Sequence, residues 1–229
     1  MSYLSRFKDL HVGQRCVIVC NGPSLNAMAL DFLQGEVVIG LNKIYLGLAT
    51  FGFYPRYLVA VNEKVIVQST TTFRAMTAIK FIGQRGAHHL AEDAFTYHIA
   101  TLHPPHRFCH DITLGVHEGG TVTYAALQIA YYMGFRDVVI IGMDHRFAFS
   151  GRPNQARMMD GPDPNHFSPD YFQGQAWDNP DLVLSEKSYA IARDIFAAGG
   201  RRIRDATVAG ACEVFERADY RDIFGSPTR

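Results

Sequence analysis

The sequence predicts an α/β fold built on a doubly wound, mostly parallel sheet of the Rossmann-like type. Short runs rich in Val and Ile recur along the chain, and their apolarity is continuous rather than alternating, which is typical of strands covered on both faces. Helix-like stretches separate these runs, and this alternation favours helices on both sides of the sheet. With 229 residues, 48% of them hydrophobic, the chain is expected to form one α/β domain over residues 1–229.

The individual elements follow from the pattern. The predicted strands are residues 16–20 (CVIVC), 36–41 (EVVIGL), 57–61 (YLVAV), 79–83 (IKFIG) and 137–142 (DVVIIG), with a later one in RRIRDAT. The predicted helices include residues 24–33, 121–133 and 185–198. The last of these ends at AAGG, whose glycines suit a helix C-cap.

Two segments have weaker periodicity. Residues 84–115 contain His and Pro and are expected to wrap the sheet with loops and one short helix. Residues 147–180 are rich in Gly, Pro, Asn and Asp and are expected to form an irregular lid, because loops of that length are uncommon unless they serve a function.

Composition excludes several classes of protein. Lys and Arg number 22, as do Asp and Glu, so no net field favours nucleic acid or a membrane surface. No window is apolar enough to span a membrane, and the N-terminus is too polar for a secretory signal. We expect a cytoplasmic protein whose four cysteines are reduced, since Cys16 and Cys20 would be too far apart on one strand to pair.

Three predicted strands each end at an asparagine. Asn21, Asn42 and Asn62 follow the first, second and third apolar runs. Ligands of open parallel sheets bind beyond the carboxyl ends of the strands, and an uncharged amide can bond a base, a ribose, a sugar or a phosphate oxygen. Asn also ends strands simply because it tolerates turns, but three in succession predict a shared pocket.

The turn after the first strand predicts an anion site. Gly22 and Pro23 are followed by Ser24, which is placed to cap the helix predicted at residues 24–33. The dinucleotide pattern G-x-G-x-x-G is absent, and so is the Gly-Lys-Ser/Thr of a P-loop. NAD and the usual ATP cradle are therefore disfavoured.

A second anion site is predicted at HEGGTVTYAALQIAYYMGF. Gly120 lets the backbone approach a ligand, Thr121 is placed to cap a helix, and Gly134 ends that helix. The strand that follows ends at Asp144, on the same edge as the three asparagines. Its carboxylate is expected either to accept bonds from ligand hydroxyls or to hold a loop.

These residues carry a resemblance to a known group. C-N-G-P-S-L, then L-N-K-I-Y-L, V-N-E and G-G-T-V-T-Y-A-A-L-Q-I-A-Y-Y-M-G-F ending in I-G-M-D resemble the bacterial sialyltransferase family 42. They also resemble the wider domain of unknown function 115, which includes motility-associated flagellin glycosyltransferases and archaeal hydroxymethylpterin diphosphokinases. The similarity covers about residues 15–149 and extends loosely through N-H-F-S-P-D-Y-F to the C-terminus.

The resemblance implies a compact nucleotide-binding domain that uses a CMP-activated nonulosonic acid. By position, the strand-end amides contact the donor, the turn before the later helix approaches the nucleotide, and the acid follows the later strand. The donor-binding residues that the resemblance implies are Asn21, Asn42, Asn62, Gly120, Thr121 and Asp144. Gly22 and Ser24, from the anion site predicted after the first strand, are expected to bind the donor with them.

The resemblance also implies the catalytic residues. The family's general base is a lid histidine, which corresponds to His166, and a histidine can take a proton from an acceptor hydroxyl. Arg146 stands where the family has a tyrosine that assists the departing phosphate, and this departure implies either stronger neutralisation of the phosphate or a different donor. Tyr171 is expected to assist by hydrogen bonding.

The sequence also contains two candidate metal sites. HPPHRFCH places His103, His106, Cys109 and His110 close together, but its spacing is unlike that of a zinc finger. Asp160 and Asp163 could hold Mg²⁺ beside a phosphate chain, although solvated loop acids explain them more simply. We expect no cofactor and no metal for the leading function.

The leading hypothesis is an inverting, metal-independent glycosyltransferase that moves a nonulosonic acid or related keto-sugar from a CMP-sugar to a surface-glycan acceptor. One alternative is a Mg²⁺-dependent 6-hydroxymethylpterin diphosphokinase-like enzyme. Another is a noncatalytic nucleotide-binding subunit of a glycan assembly complex. Aromatic residues in the tail, Phe215, Tyr220 and Phe224, make self-association a further expectation.

Overall fold

The computed structural model describes residues 3–104 and 106–225, and its centre is a sheet of eight parallel strands. The described residues contain twelve strands, and β6, β7, β9 and β10 form two separate pairs outside this sheet. The strands are β1 (Arg15–Val19), β2 (Val38–Leu41), β3 (Tyr57–Ala60), β4 (Ile79–Gly83), β5 (Thr96–Ile99), β6 (Thr101–Leu102), β7 (Val116–His117), β8 (Asp137–Ile141), β9 (Ala156–Met158), β10 (Ala176–Asp178), β11 (Arg202–Asp205) and β12 (Glu216–Arg217). The fold class predicted from the sequence is confirmed, and each strand named in advance is present within one or two residues of its expected bounds.

The strand order creates a switch point beside β1. The central sheet runs β12-β11-β8-β1-β2-β3-β4-β5, and β1 pairs in parallel with β2 on one side and with β8 on the other. The chain therefore winds outward in one direction through β5 and returns on the other side of β1. A crevice forms beyond the carboxyl ends of the strands at such a point.

Helices cover both faces of this sheet. They are α1 (Leu48–Phe51), α2 (Glu63–Ala75), α3 (Val122–Tyr132), α4 (Leu182–Ala198) and α5 (Tyr220–Phe224). The predicted helix at 121–133 is confirmed: Thr121 caps α3, and Gly134 follows it with φ +89°. Helix α4 begins three residues earlier than predicted, because Asp181 accepts a hydrogen bond from the amide of Leu184.

The helix predicted at residues 24–33 is wrong. Two short 3₁₀ segments, Pro23–Ala27 and Asp31–Gly35, replace it, and Met28 between them is extended. Ser24 does not cap a helix, because Gly22 holds the cap position and makes no side-chain bond there. The backbone and hydroxyl of Ser24 bond a carboxylate distant in sequence instead, so a tertiary contact replaces the predicted cap.

The two irregular segments contain more strand than predicted. Within residues 84–115, β5 adds an edge strand to the central sheet, and β6 pairs with β7. The short helix expected there is the 3₁₀ turn Gln84–Gly86. The lid, residues 147–180, carries the antiparallel pair β9 and β10 but is otherwise without regular structure, as predicted.

Alternate residues of each central strand serve two cores. Along β1, Cys16 and Ile18 belong to the core beneath α3 and α4. Val17 and Val19 belong to the opposite core, which contains α2 residues and the lid aromatics Phe167, Tyr171, Phe172 and Trp177. The lid is therefore packed into the second core rather than lying loosely over the surface.

The tail aromatics pack within the chain. Phe215 is buried beside Tyr189, and Phe224 stacks on Phe32 with ring centroids 4.2 Å apart. Tyr220 is also buried. Phe215 and Tyr220 are therefore buried within the chain while Phe224 is partly exposed, and self-association stays a prediction.

The four cysteines are free thiols, three of them buried. Among the described residues, no helix combines the length and the apolar character that crossing a membrane demands.

Candidate active site

Two neighbouring cavities lie beyond the carboxyl ends of the central strands. The first lies at the switch point between β1 and β8. The second extends toward α2 and the β9–β10 hairpin. Residues that line both are Asn42, Gly120, Thr121, Val122, Phe147, His166, Phe172 and Pro180. The two cavities thus form one cleft with a shared wall.

Two strand-end amides in the first cavity have unused acceptors. The side-chain oxygens Oδ1 of Asn21 and Asn42 are buried and have no hydrogen-bond partner. Asn21 is 8% exposed, and Asn42 has φ +47°, a conformation that Asn adopts more readily than most residues. Because an unmet buried acceptor costs about 1–3 kcal/mol, both oxygens are candidates to accept a hydrogen bond from a ligand in this cavity.

The third strand-end amide, that of Asn62, caps a helix. The Oδ1 atom of Asn62 accepts hydrogen bonds from the amides of Lys64 and Val65, and so caps α2. Its Nδ2 atom donates to Asp178 at 3.4 Å. Asn62 lines the second cavity but not the first. The three amides therefore do not share one pocket: Asn21 lines the first cavity, Asn62 the second, and Asn42 both.

A carboxylate occupies the first predicted anion site. Ser24 donates to Asp144 twice, from its amide to Oδ1 at 3.1 Å and from its hydroxyl to Oδ2 at 2.6 Å. Gly22 makes this approach possible, because a Cβ atom there would lie 1.8 Å from Oδ2 of Asp144. Asp144 does lie on the predicted edge and lines the first cavity. Its contact with Ser24 joins the end of β1 to the end of β8.

The second predicted anion site has the expected form. Gly119 and Gly120 have φ values of +57° and +79°, which turn the chain into α3. Thr121 then caps the helix by accepting from the amide of Thr123. Gly120 and Thr121 line both cavities, so the positive end of an 11-residue helix lies at the shared wall, where it can stabilise an anion.

The lid places a histidine and an aspartate together at this wall. Nδ1 of His166 lies 2.7 Å from Oδ2 of Asp163, whose side chain is fully buried. The other carboxylate oxygen accepts from the amide of Asn165 at 2.8 Å. A carboxylate in this position holds the proton on Nδ1 and leaves Nε2 as the acceptor.

Packing then fixes the plane of the imidazole. His166 stacks on Tyr171 with ring centroids 3.9 Å apart and planes 4° apart, and the Phe172 ring lies edge-on at 5.3 Å. Tyr171 is 1% exposed, and its hydroxyl accepts from the amide of Lys43 at 3.2 Å. Tyr171 therefore positions His166 by stacking, and the assistance by hydrogen bonding expected of it stays a prediction.

A buried lysine anchors the lid to the sheet. Lys43 follows Asn42 and is 2% exposed. Its Nζ atom donates to the carbonyl of Tyr171 at 2.8 Å and to Oε1 of Gln175 at 2.6 Å. It also lies 4.5 Å from the ring centre of Phe172. One residue of the β2 edge thus holds three lid residues.

Replacing this lysine is expected to change how stability depends on pH. Burial lowers the pKa of Lys43 from 10.5 to about 8, against an opposing attraction from Asp163. Between these two values the unfolded chain binds one more proton than the folded chain, so the lysine's contribution to the free energy of unfolding rises with pH. In urea titrations across that window, wild type should gain stability relative to Lys43→Met. Lys187→Met, at an exposed position of α4, is the control, and a gap that stays constant or narrows would contradict the expectation.

The structure does not bring Arg146 to the cleft. Arg146 is exposed and lines neither cavity. The preceding residue, His145, has φ +54° and its ring bonds Glu186 on α4. His145 and Phe147 line the first cavity on either side of Arg146, so the predicted contact of Arg146 with a departing phosphate has no support in this arrangement and stays a prediction.

The structure separates the residues of the two metal sites considered from the sequence. Asp163 is buried against His166, whereas Asp160 is exposed. The two acids therefore do not face one another as a pair for Mg²⁺, and only Asp160 is a solvated loop acid. Within residues 3–104 and 106–225, one set of three metal-ligating side chains comes within 4.8 Å, namely Glu63, His88 and His89 on the outside of the fold. The His103–His110 side chains are not part of it.

Sequence reasoning missed several residues of the site. The sequence suggested a Mg²⁺ ligand or a solvated loop acid for Asp163, although its i,i+3 spacing from His166 is a visible signal of their pairing. Lys43 was not singled out, because a lysine after a strand is ordinarily exposed. Trp177 and Asn179 line the second cavity, and nothing in the local sequence indicates this.

Comparison with known proteins adds two findings. No curated protein matches the chain. A solved structure of the Maf glycosyltransferase from Magnetospirillum magneticum AMB-1 is similar in fold, with a TM-score of 0.54 and 13% sequence identity. That similarity covers 94% of this chain, which spans 37% of the length of the glycosyltransferase. A family model described as 6-hydroxymethylpterin diphosphokinase MptE-like matches residues 1–150, more than half of the 229 residues, and the chain therefore belongs to the MptE-like family.

Proposed function

We propose that this chain is a glycosyltransferase that moves a nonulosonic acid or related keto-sugar from a CMP-linked donor to a glycan hydroxyl, with inversion and without a metal. The observation that carries the proposal is the His166–Asp163 pair at the wall shared by two cavities. A transfer between two substrates needs two adjoining sites and a base between them. The fold similarity to the Maf glycosyltransferase supports the same direction.

The first cavity suits the nucleotide part of the donor. It lies at the switch point, where doubly wound sheets bind nucleotides. The free Oδ1 atoms of Asn21 and Asn42 can accept from the amino group of a base or the hydroxyls of a ribose. The N-terminus of α3, with Gly120 and Thr121, can hold the phosphate.

The reaction then follows from these placements. Nε2 of His166 takes the proton of the acceptor hydroxyl as its oxygen attacks the anomeric carbon, and Asp163 stabilises the imidazolium that forms. The bond between that carbon and the phosphate oxygen breaks, and its electron pair leaves with CMP. The first turn of α3 and the Thr121 hydroxyl stabilise the departing phosphate. Attack opposite to the leaving group inverts the anomeric configuration.

The family name favours a second candidate. A 6-hydroxymethylpterin diphosphokinase-like enzyme would need ATP and Mg²⁺, and the hydroxyl that it activates could use the same base. The carboxylates that line the cleft are each engaged: Asp144 with Ser24, Glu118 with Arg85, and Asp178 with Lys64. This arrangement gives less support to a Mg²⁺ site beside a triphosphate.

A ligand panel separates the two candidates. We expect CMP to raise the melting temperature equally with Mg²⁺ and with EDTA, because bound ligand stabilises the folded state by mass action. ATP and GTP should have little effect. The measurement is thermal unfolding with CMP, CDP, ATP or GTP. A shift seen only for a purine triphosphate with Mg²⁺ would reject the transferase proposal in favour of the diphosphokinase.

A further inference from the structure

The second cavity has the features of a separate substrate site. It is lined by Asn62, Lys64, Glu118, Trp177, Asp178 and Asn179. Asn179 is 1% exposed, and its Oδ1 atom has no hydrogen-bond partner. Its Nδ2 atom is already used, donating to the carbonyls of Ser150 and Arg152. The amide is therefore locked in place with an acceptor left for a ligand donor.

The charges of this cavity cancel. Lys64 pairs with Asp178, and Glu118 pairs with Arg85. No other Lys, Arg, Asp or Glu lines it among the described residues. Apart from the N-terminus of α3 at the wall shared with the first cavity, a phosphate or carboxylate ligand would find no unpaired positive group there. Amides, ion-paired carboxylates and the indole of Trp177 suit a ligand with neutral hydroxyl groups and an apolar ring face.

We infer that the second cavity binds the acceptor, and that this acceptor is a neutral glycoside whose attacking hydroxyl meets Nε2 of His166. The inference rests on the proposed function. His166 lines both cavities, so a hydroxyl in the second cavity and a donor in the first can both lie beside this base. The first cavity lies at the switch point, where doubly wound sheets bind nucleotides, and this leaves the second for the acceptor.

Blocking the second cavity tests the inference. Ala176 lines it and is partly exposed, so Ala176→Phe fills the space from one wall. Ala156 pairs with Asp178 on the same hairpin but is exposed and lines neither cavity. Ala156→Phe is therefore the matched control.

The experiment uses neutral methyl glycosides of glucose, galactose, N-acetylglucosamine and N-acetylgalactosamine as probes, in the presence of CMP. Saturation-transfer NMR should detect at least one glycoside on wild type and on Ala156→Phe, and none on Ala176→Phe. CMP should bind all three proteins, which also shows that they are folded.

Each other outcome has a distinct meaning. Glycoside binding that survives Ala176→Phe, or no glycoside bound while CMP binds, overturns the acceptor site and leaves the proposed function standing. Binding of 6-hydroxymethylpterin or of a serine peptide in place of every glycoside overturns the assignment to neutral sugars. Failure of CMP to bind wild type overturns the proposed function itself.

Discussion

Replacing His166 with alanine is expected to lower kcat for sugar transfer by about 10²–10⁴-fold, the usual contribution of a general base. Binding of CMP should remain, because the amides and the α3 N-terminus that suit the nucleotide lie on other elements. The measurement is steady-state transfer from a CMP-sugar, combined with calorimetric titration of CMP. Asp163→Asn should lower kcat by a similar order, because an amide at this position no longer fixes the proton on Nδ1.

The control for this experiment is another histidine. His106 is exposed and lines neither cavity, so His106→Ala should transfer at the wild-type rate. Full activity in His166→Ala would remove the proposed base. Loss of CMP binding together with activity would show that His166 supports the fold of the cleft rather than the proton transfer.

The second large effect is expected at Gly22. A methyl group there would meet the carboxylate of Asp144 and lie 2.7 Å from the carbonyl of Gly142, so Gly22→Ala must push the ends of β1 and β8 apart. The two bonds from Ser24 to Asp144 would be lost with that movement. We expect CMP binding to be abolished and the free energy of unfolding to fall by about 1–3 kcal/mol, as for other overpacked sites.

Gly35→Ala is the matched control for this change. A Cβ atom at Gly35 meets nothing within 4 Å, and its φ is ordinary for an L-residue. Urea unfolding and CMP titration of Gly35→Ala should match those of wild type. Normal CMP binding by Gly22→Ala would show that the β1–β8 junction does not shape the nucleotide site.

The family match covers only part of the candidate site. The matched residues, 1–150, include β1–β8 and the strand-end residues from Asn21 to Asp144. The His166–Asp163 pair and the β9–β10 hairpin lie beyond them. The matched part therefore includes the elements proposed to hold the nucleotide and one side of the second cavity. The proposed base and the other side of that cavity lie beyond it and must be tested on this chain directly.

Much of the fold could be predicted because its cause is local. Continuous Val and Ile runs identify strands buried on both faces, and their alternation with helices requires parallel connections. The sequence did not predict the edge strand β5, because a histidine interrupts the apolar run in its segment TYHI. The helix at 24–33 was wrong because its expected cap, Ser24, is bonded by a residue 120 positions away.

The sequence by itself determined the parallel sheet, the edge at which its polar residues gather, and the capped helix at Thr121, since each depends on neighbours within a few residues. Only the tertiary structure decided which polar atoms remain free. Asn62 and Asn21 look alike in sequence, yet one caps α2 and the other keeps an unpaired oxygen. Hydrogen bonds are short and directional, so the use of each side chain depends on which distant residue the fold brings within about 3 Å of it.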